Sequence, residues 1–133
     1  MEKTLVLIKP DAIERKLMGE IISVYENNNL DIINMKMIKP SVEVAHKHYY
    51  EHKDKAFFNE LVNYIIRGSI CALIIQGDNV IERVREINGA TDPINAQPGT
   101  IRKRYALSKQ ENCVHGSDSK ESAEREIKIW FEK

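Results

Sequence analysis

Two short, nearly continuous apolar runs constrain the fold of this chain more than any other feature of its sequence. The first covers residues 4–8 (TLVLI) and the second covers residues 69–76 (SICALIIQ), and both contain several β-branched residues. Residues of this kind favour strands. A strand without polar alternation is typical of a sheet that is covered on both faces. We therefore expect both runs to form central strands that are buried on two sides.

The segments around these runs predict further strands and helices. Residues 31–38 alternate in part, with Ile33, Met35 and Met37 on an apolar face and polar residues on a wetter one. Apolar residues at helical spacing predict helices over residues 19–25, 41–50, 57–66 and 80–87, and a last helix from residue 118 onward. Asp118 and Glu121 resemble a capping box at the start of that last helix.

The order of these elements narrows the fold class. Between residues 90 and 111 the periodicity disappears, which predicts a loop of about 20 residues, longer than compact domains usually tolerate without a functional reason. Residues 112–115 then predict a last short strand. The alternation of strands and helices predicts an α/β or α+β fold, with one sheet covered by helices. The 133 residues fit a single domain spanning 1–133.

Composition limits the partners of the chain. Twenty Lys and Arg residues balance twenty Asp and Glu residues, so no overall field attracts nucleic acid or an anionic membrane. The chain shows no signal peptide and no apolar stretch long enough to cross a membrane, so we expect a cytoplasmic protein. Cys71 and Cys113 lack CxxC spacing and suggest neither a disulfide framework nor a zinc site.

The segment of residues 112–119 (NCVHGSDS) carries the most chemical information. His115 ends the last predicted strand, and Gly116 is expected to let the backbone turn and to leave room for a ligand. The following residues favour a helix start, whose free N–H groups attract anions. Glu126 lies two turns into that helix, where it could orient the imidazole. On local spacing alone, a partly buried histidine beside a capped helix is the favoured interpretation.

Cationic residues lie on and beside the long loop. Lys9 ends the first apolar run, Arg85 lies on the helix before the loop, and Arg102, Lys103 and Arg104 lie within the loop. Arginine binds phosphate oxygens through two-point contacts, so this set indicates a local anion site, although a solvated basic surface fits the same pattern. No P-loop and no glycine-rich dinucleotide fingerprint is present. Side chains would therefore have to bind the phosphates.

Aromatic residues flank the charged run of residues 51–55. A ring among Tyr49, Tyr50, Phe57 and Phe58 could stack on a nucleobase, and core packing is expected for at least two of the four.

Three further histidines fall on one predicted helix and its end. His46, His48 and His52 are interpreted as surface residues. No HExxH metal motif is present.

Together these segments resemble one family, the nucleoside diphosphate kinases. The resemblance covers residues 4–131 and rests on five segments: 4–11 (TLVLIKPD), 57–58 (FF), 98–102 (PGTIR), 112–118 (NCVHGSD) and 122–127 (SAEREI). It implies an α/β fold of the ferredoxin-like kind, an α+β sandwich in which helices cover a four-stranded antiparallel sheet.

The resemblance also implies the roles of individual residues. It makes His115 the nucleophile that accepts the γ-phosphate through Nδ1, in a ping-pong exchange between nucleoside triphosphates and diphosphates. Glu126 and Ser117 would hold and assist this histidine. The implied nucleotide-binding residues are Lys9, Tyr49, Phe57, Arg85, Thr91, Arg102 and Asn112, with Phe57 stacking on the base. Mg²⁺ would be bound mainly through the nucleotide phosphates, so the resemblance implies no dedicated metal site in the protein.

The resemblance further implies a homo-oligomer, a hexamer in preference to a tetramer. We expect the exposed side of the sheet and the long loop to be the assembly surfaces. The alternative is a non-catalytic nucleotide-binding regulator of the same fold, which would be expected to lack His115 or the phosphate-binding arginines. Both are present in this chain.

One segment departs from the family pattern beside a proposed phosphate ligand. After Arg102 the family usually has Gly-Asp, whereas this chain has Lys103 and Arg104. The exchange removes one negative charge and adds two positive ones. We therefore expect a site that attracts anions more strongly, and the exchange puts in doubt a contact that holds the loop.

Overall fold

A single four-stranded sheet organises the chain. The computed structural model describes residues 1–132. The strands are β1 (Glu2–Ile8), β2 (Asp31–Ile38), β3 (Ile70–Gly77) and β4 (Val114–Gly116). They pair in the order β2-β3-β1-β4, and every pair is antiparallel. The expected four-stranded antiparallel sheet of the ferredoxin-like α/β sandwich is thus confirmed.

Helices cover both faces of the sheet. Those in the described residues are α1 (Pro10–Glu14), α2 (Met18–Asn27), α3 (Val42–His48), α4 (Phe58–Ile65), α5 (Val80–Asn88), α6 (Ile101–Tyr105) and α7 (Lys120–Phe131). Short 3-10 helices cover Tyr50–His52 and Pro93–Asn95. Within residues 1–132, none of the helices combines the length and the apolar character needed to cross a bilayer.

The two apolar runs form the central strands β1 and β3, as expected. In β1, Val6 and Ile8 belong to a core with α2 and α5, whereas Leu5 and Leu7 belong to a second core with α3, α4 and α7. All four side chains are fully buried. A continuous apolar run therefore serves two cores at once, because successive side chains of a strand lie on opposite faces.

The expectation for β2 was wrong about which face is wet. Met35 and Met37 are 54% and 50% exposed, while Lys36 is half-buried. The Lys36 ammonium lies 5.3 Å from the centre of the Phe131 ring at the end of α7. β2 is one of the two edge strands of the sheet, and helices do not cover Met35 and Met37 there.

Two further expectations need correction. The segment of residues 90–111 is not a continuous loop, because it contains Pro93–Asn95 and α6. Five residues are too few to show helical periodicity, and α6 is instead set by Thr100, whose side chain accepts the N–H of Lys103. The capping box was wrong by one residue, since Ser119 rather than Asp118 is the N-cap of α7.

Candidate functional site

A cavity of about 1230 Å³ lies where β1, β4, α3, α5 and α7 meet the long loop. Most of the residues expected at the site line it: Lys9, Tyr49, Arg85, Thr91, Arg102, Asn112, His115 and Glu126. Segments far apart in sequence thus converge on one space, large enough for a nucleotide-sized ligand.

His115 is held by a buried carboxylate. Its Nε2 lies 2.7 Å from Oε1 of Glu126, and the Ser117 hydroxyl donates to the same oxygen at 2.7 Å. Glu126 is 5% exposed and His115 is 24% exposed at their side chains. Because the carboxylate accepts from Nε2–H, the neutral ring carries its lone pair on Nδ1. The half-exposed imidazole therefore presents a nucleophilic nitrogen of defined identity.

Strand pairing fixes where this imidazole stands. His115 pairs with Leu7 in the register of β1 and β4. Ser117 is buried directly after β4, and its Oγ accepts the N–H of Leu5 at 3.3 Å. The turn expected at Gly116 is wrong, because this glycine is the last residue of strand β4 and its backbone is not left-handed. A Cβ at this position would lie 3.2 Å from Val84, which shows that the glycine allows α5 to approach β4.

His48 is a site residue that sequence reasoning missed. It was interpreted as a surface residue, yet it is 5% exposed and lines the cavity. Its ring lies edge-on to that of His115, with centroids 4.6 Å apart. The indole N–H of Trp130 donates to His48 Nδ1 at 3.1 Å. The signal in the sequence was weak: Ala45, His48 and Tyr49 share one face of α3, and all three are buried.

The environment of His48 keeps it neutral. Burial lowers the pKa of its imidazole well below the ordinary value, and repulsion from nearby cationic groups, among them Lys9 and Arg125, lowers the pKa further. Because Trp130 N–H is a donor only, His48 Nδ1 must accept, and the proton resides on Nε2. A neutral ring in this place does not add positive charge beside His115.

Lys9 and Asn112 form a buried pair in the cavity wall. The Lys9 ammonium donates to the Asn112 side-chain oxygen at 2.9 Å, although 103 positions separate the two residues. The Asn112 amide in turn donates to the carbonyls of Thr91 at 3.2 Å and Lys109 at 2.9 Å. Burial, followed by repulsion from Arg102, lowers the pKa of Lys9 to about 8. The pair thus fixes both the lysine and the loop that carries Thr91.

Arg102 is oriented by the backbone. Its two terminal nitrogens donate to the carbonyls of Gly89 at 2.7 Å and Val114 at 2.8 Å. Its Nε is buried and has no hydrogen-bond partner within residues 1–132. Burial is the main cause that lowers the pKa of Arg102, and Arg85 contributes in the same direction. A rigid, desolvated guanidinium of this kind is suited to bind an anion.

The remaining expected residues differ in placement. Tyr49 lies in the cavity wall, and burial with the nearby charge of Glu126 raises the pKa of its phenol, so the hydroxyl stays protonated. Phe57 does not line the cavity; it is 41% exposed and lies 5.7 Å from the ring of His52, which does line it. Lys103 and Arg104, which replace the family's usual Gly-Asp, also lie outside the residues that line the cavity. The Lys103 ammonium donates to the Pro93 carbonyl at 3.4 Å and thereby makes a contact that holds the loop.

The donor atoms do not form a magnesium cage. In the part of the chain that is described, one group of His, Cys, Asp and Glu side chains is close enough to hold an ion: His48, His115 and Glu126. Two imidazoles and one carboxylate suit Zn²⁺ better than Mg²⁺, which prefers oxygen ligands. The cationic wall instead suits a ligand that carries its own phosphate oxygens.

Comparison with known proteins gives one consistent match. A family model for nucleoside diphosphate kinase matches residues 2–133. A nucleoside diphosphate kinase of Clostridium perfringens is 56% identical over 133 residues, which is 100% of this chain and 93% of that protein. One from Saccharolobus islandicus is 51% identical over 100% of this chain and 96% of its own length.

Solved structures give the same match. The crystal structure of nucleoside diphosphate kinase from Encephalitozoon cuniculi, in its cubic apo form, has a TM-score of 0.97 at 38% identity, covering 100% of this chain and 90% of that one. The enzyme from Aquifex aeolicus has a TM-score of 0.95 at 38% identity, covering 98% of this chain and 94% of that one.

Proposed function

Because the chain belongs to the nucleoside diphosphate kinase family, we propose that it passes the γ-phosphoryl group of a nucleoside triphosphate to a nucleoside diphosphate through a phosphohistidine at His115. The observation that carries this proposal is the single contact set around the imidazole. Glu126 binds Nε2, Ser117 supports Glu126, and the ring lines a large cavity with a cationic wall. Such an arrangement leaves Nδ1 as the nucleophile.

The loading step forms one bond and breaks another. The Nδ1 lone pair attacks the γ-phosphorus, an N–P bond forms, and the P–O bond to the β-phosphate oxygen breaks. The diphosphate then leaves with that electron pair. The ring becomes positively charged as the N–P bond forms, and the Glu126 carboxylate stabilises this charge by accepting the Nε2–H bond. A diphosphate bound in the same cavity reverses the step, so the kinetics are ping-pong.

The cationic wall supplies most of the catalytic electrostatics. Phosphoryl transfer passes through a loose, highly charged transition state, so positioning and charge stabilisation dominate its catalysis. Lys9, Arg85 and Arg102 would bind the phosphates, and the backbone contacts of Arg102 already fix its orientation. Tyr49, Thr91 and Asn112 would bind phosphate or sugar oxygens. Phe57, whose ring lies 5.7 Å from that of the cavity-lining His52, would stack on the base.

Mg²⁺ would enter with the nucleotide. We assign it no protein ligand, since its oxygen ligands would come from the phosphates and water. When bound, the ion would neutralise part of the phosphate charge. The side chains of the cavity wall then bind the remaining phosphate oxygens.

We also propose that the chain assembles as a homo-oligomer in the cytoplasm, a hexamer in preference to a tetramer. Large apolar side chains are exposed on both expected surfaces: Ile33, Met35 and Met37 on β2, and Ile94 and Leu107 between α5 and β4. Contiguous exposed apolar side chains are typical of assembly surfaces, and Ile33, Met35 and Met37 lie on one strand. A mass measurement in solution that finds only monomers would contradict the proposal.

Covalent labelling tests the proposed reaction directly. Incubation with a γ-labelled nucleoside triphosphate should yield about one acid-labile, base-stable phosphate per chain, removed by added nucleoside diphosphate. His115→Ala should abolish the label and retain the fold. His46→Ala is the matched control, because His46 is an exposed histidine on α3 that does not line the cavity. Labelling that survives His115→Ala would show that another residue is the nucleophile.

A further inference from the structure

Asp11 is a buried carboxylate that the proposed reaction does not use. Within residues 1–132, only the carboxylates of Asp11 and Glu126 are buried. Asp11 is 1% exposed. It lies in the first turn of α1, two residues after Lys9. A buried carboxylate is costly unless donors compensate it, so the partners of Asp11 indicate its role.

Both oxygens of Asp11 have a specific donor. The Tyr64 hydroxyl donates to Oδ1, and the backbone N–H of Cys113 donates to Oδ2 at 3.1 Å. The carbonyl of Cys113 accepts the backbone N–H of Lys9 at 2.8 Å. The segment after β1 therefore binds both polar backbone groups of Cys113, its N–H and its carbonyl.

Cys113 has a backbone conformation that needs such support. Its φ is 75°, in the left-handed half of conformational space that residues other than glycine rarely adopt. The N–H of Val114 donates to the carbonyl of Asn112 at 2.9 Å, so Cys113 is the centre of a three-residue γ-turn. Strained conformations of this kind persist only where the surroundings determine them, and they cluster at functional sites.

The turn joins the two halves of the proposed site. Immediately before it, the Asn112 side chain accepts the Lys9 ammonium at 2.9 Å in the cavity wall. Immediately after it, Val114 enters β4, which places His115 opposite Leu7. A change of φ at Cys113 would therefore alter the direction from Asn112 to His115.

We propose that Asp11, supported by Tyr64, is a positioning residue that holds Cys113 in its left-handed turn. When this turn is held, the Lys9–Asn112 pair and His115 line the same cavity. This inference rests on the roles proposed above for Lys9, Asn112 and His115. It assigns Asp11 no contact with the nucleotide.

A double-mutant cycle with glycine tests the inference. Asp11→Ala should lower kcat/KM for nucleotide exchange by about 30-fold, with most of the loss in KM, because Lys9 and Asn112 are displaced from the phosphates. In a Cys113→Gly background the same change should cost less than about 5-fold, because glycine adopts positive φ without a Cβ clash. If Asp11 served only stability, Cys113→Gly would remove a buried side chain and make the loss worse.

The chain offers a matched control for the glycine. Asn29 also has a positive φ, 60°, in the turn between α2 and β2. Asn29→Gly relieves a left-handed residue away from the cavity and should leave the cost of Asp11→Ala unchanged. Rescue by Asn29→Gly would mean that general stabilisation, rather than the turn at Cys113, restores activity.

Two milder changes keep the test decisive if Asp11→Ala fails to fold. Asp11→Asn retains an oxygen that can accept the Cys113 N–H, and it should keep more than about one third of kcat/KM. Tyr64→Phe removes one donor to Asp11, and its loss should also shrink in the Cys113→Gly background. Equal losses in both backgrounds, or full activity of Asp11→Ala, would overturn the inference. Absence of label on wild-type His115 would instead overturn the phosphohistidine proposal and leave the coupling between Asp11 and Cys113 as measured.

Discussion

Replacing Glu126 by glutamine separates the charge of this residue from its shape. The amide oxygen of glutamine can still accept His115 Nε2–H and the Ser117 hydroxyl, the two donors that the carboxylate oxygen accepts at 2.7 Å. The negative charge is lost. That charge matters when Nδ1 bonds to phosphorus, because the ring then becomes positive while its Nε2–H still faces residue 126.

The size of the effect follows from the geometry. Two unit charges about 4 Å apart attract each other by about 4 kcal/mol at an effective dielectric constant of about 20. In a loose transition state the ring carries only part of its final charge. With about half of it, Glu126→Gln should raise the barrier by about 2 kcal/mol, which slows loading about 30-fold.

Rapid-quench loading of His115 from a labelled nucleoside triphosphate measures this step without turnover. Glu124→Gln is the control, because Glu124 lies on the same helix, is exposed, and does not line the cavity. It should load like the wild type. If Glu126→Gln loads within about 3-fold of the wild type, the carboxylate charge does not stabilise the phosphorylated ring and the reasoning is refuted.

Four further predictions concern Lys9, Trp130 and β2, two of them for Lys9. The pKa of Lys9 is about 8, below that of an unfolded lysine. The folded protein therefore loses this charge above about pH 8, and KM for nucleotide should rise there in the wild type and not in Lys9→Met. Between about pH 8 and pH 10.5 the unfolded chain binds this proton and the folded one does not. The free energy of unfolding should therefore increase by about 3 kcal/mol over that range relative to Lys9→Met, as urea titrations would measure. No difference between the two proteins would contradict the assignment of the pKa to Lys9. Trp130→Phe leaves His48 Nδ1 buried without its donor and should lower the free energy of unfolding by about 1–3 kcal/mol, with circular dichroism as the measurement; an unchanged value would show that the bond is unimportant. Met35→Glu places a charge on the exposed face of β2 and should shift sedimentation toward smaller species while the far-UV spectrum stays unchanged, whereas an unchanged assembly would exclude this face as an interface.

The parts of the fold that could be predicted are those whose cause is local. β1 and β3 were predictable because burial on two faces leaves a continuous apolar run. The wet face of β2 was not, because it depends on the position of the strand at the edge of the sheet. α6 was missed because its five residues are too few to show helical periodicity, although its cap at Thr100 is a local signal.

The same distinction applies to the site. The resemblance implied a set of site residues, but not their contacts. His48 looked like a surface residue because its partner, Trp130, is 82 positions away. The left-handed turn at Cys113 depends on Asp11, which is 102 positions away. Contacts of this range leave no periodicity in the sequence, so the geometry around the imidazole required the structure.

Helix α7 links the proposed phosphorylation of His115 to the folding of the chain. Glu126 and Trp130 are four residues apart and therefore lie on one face of α7. One contacts the imidazole of His115 directly, and the other contacts it through His48. Trp130 also belongs to the core on the second face of the sheet. A chain in which this helix has not docked would lack both contacts. Under the proposed reaction, His115 would therefore accept phosphate only in molecules whose second core is complete, so the label would report folding as well as activity.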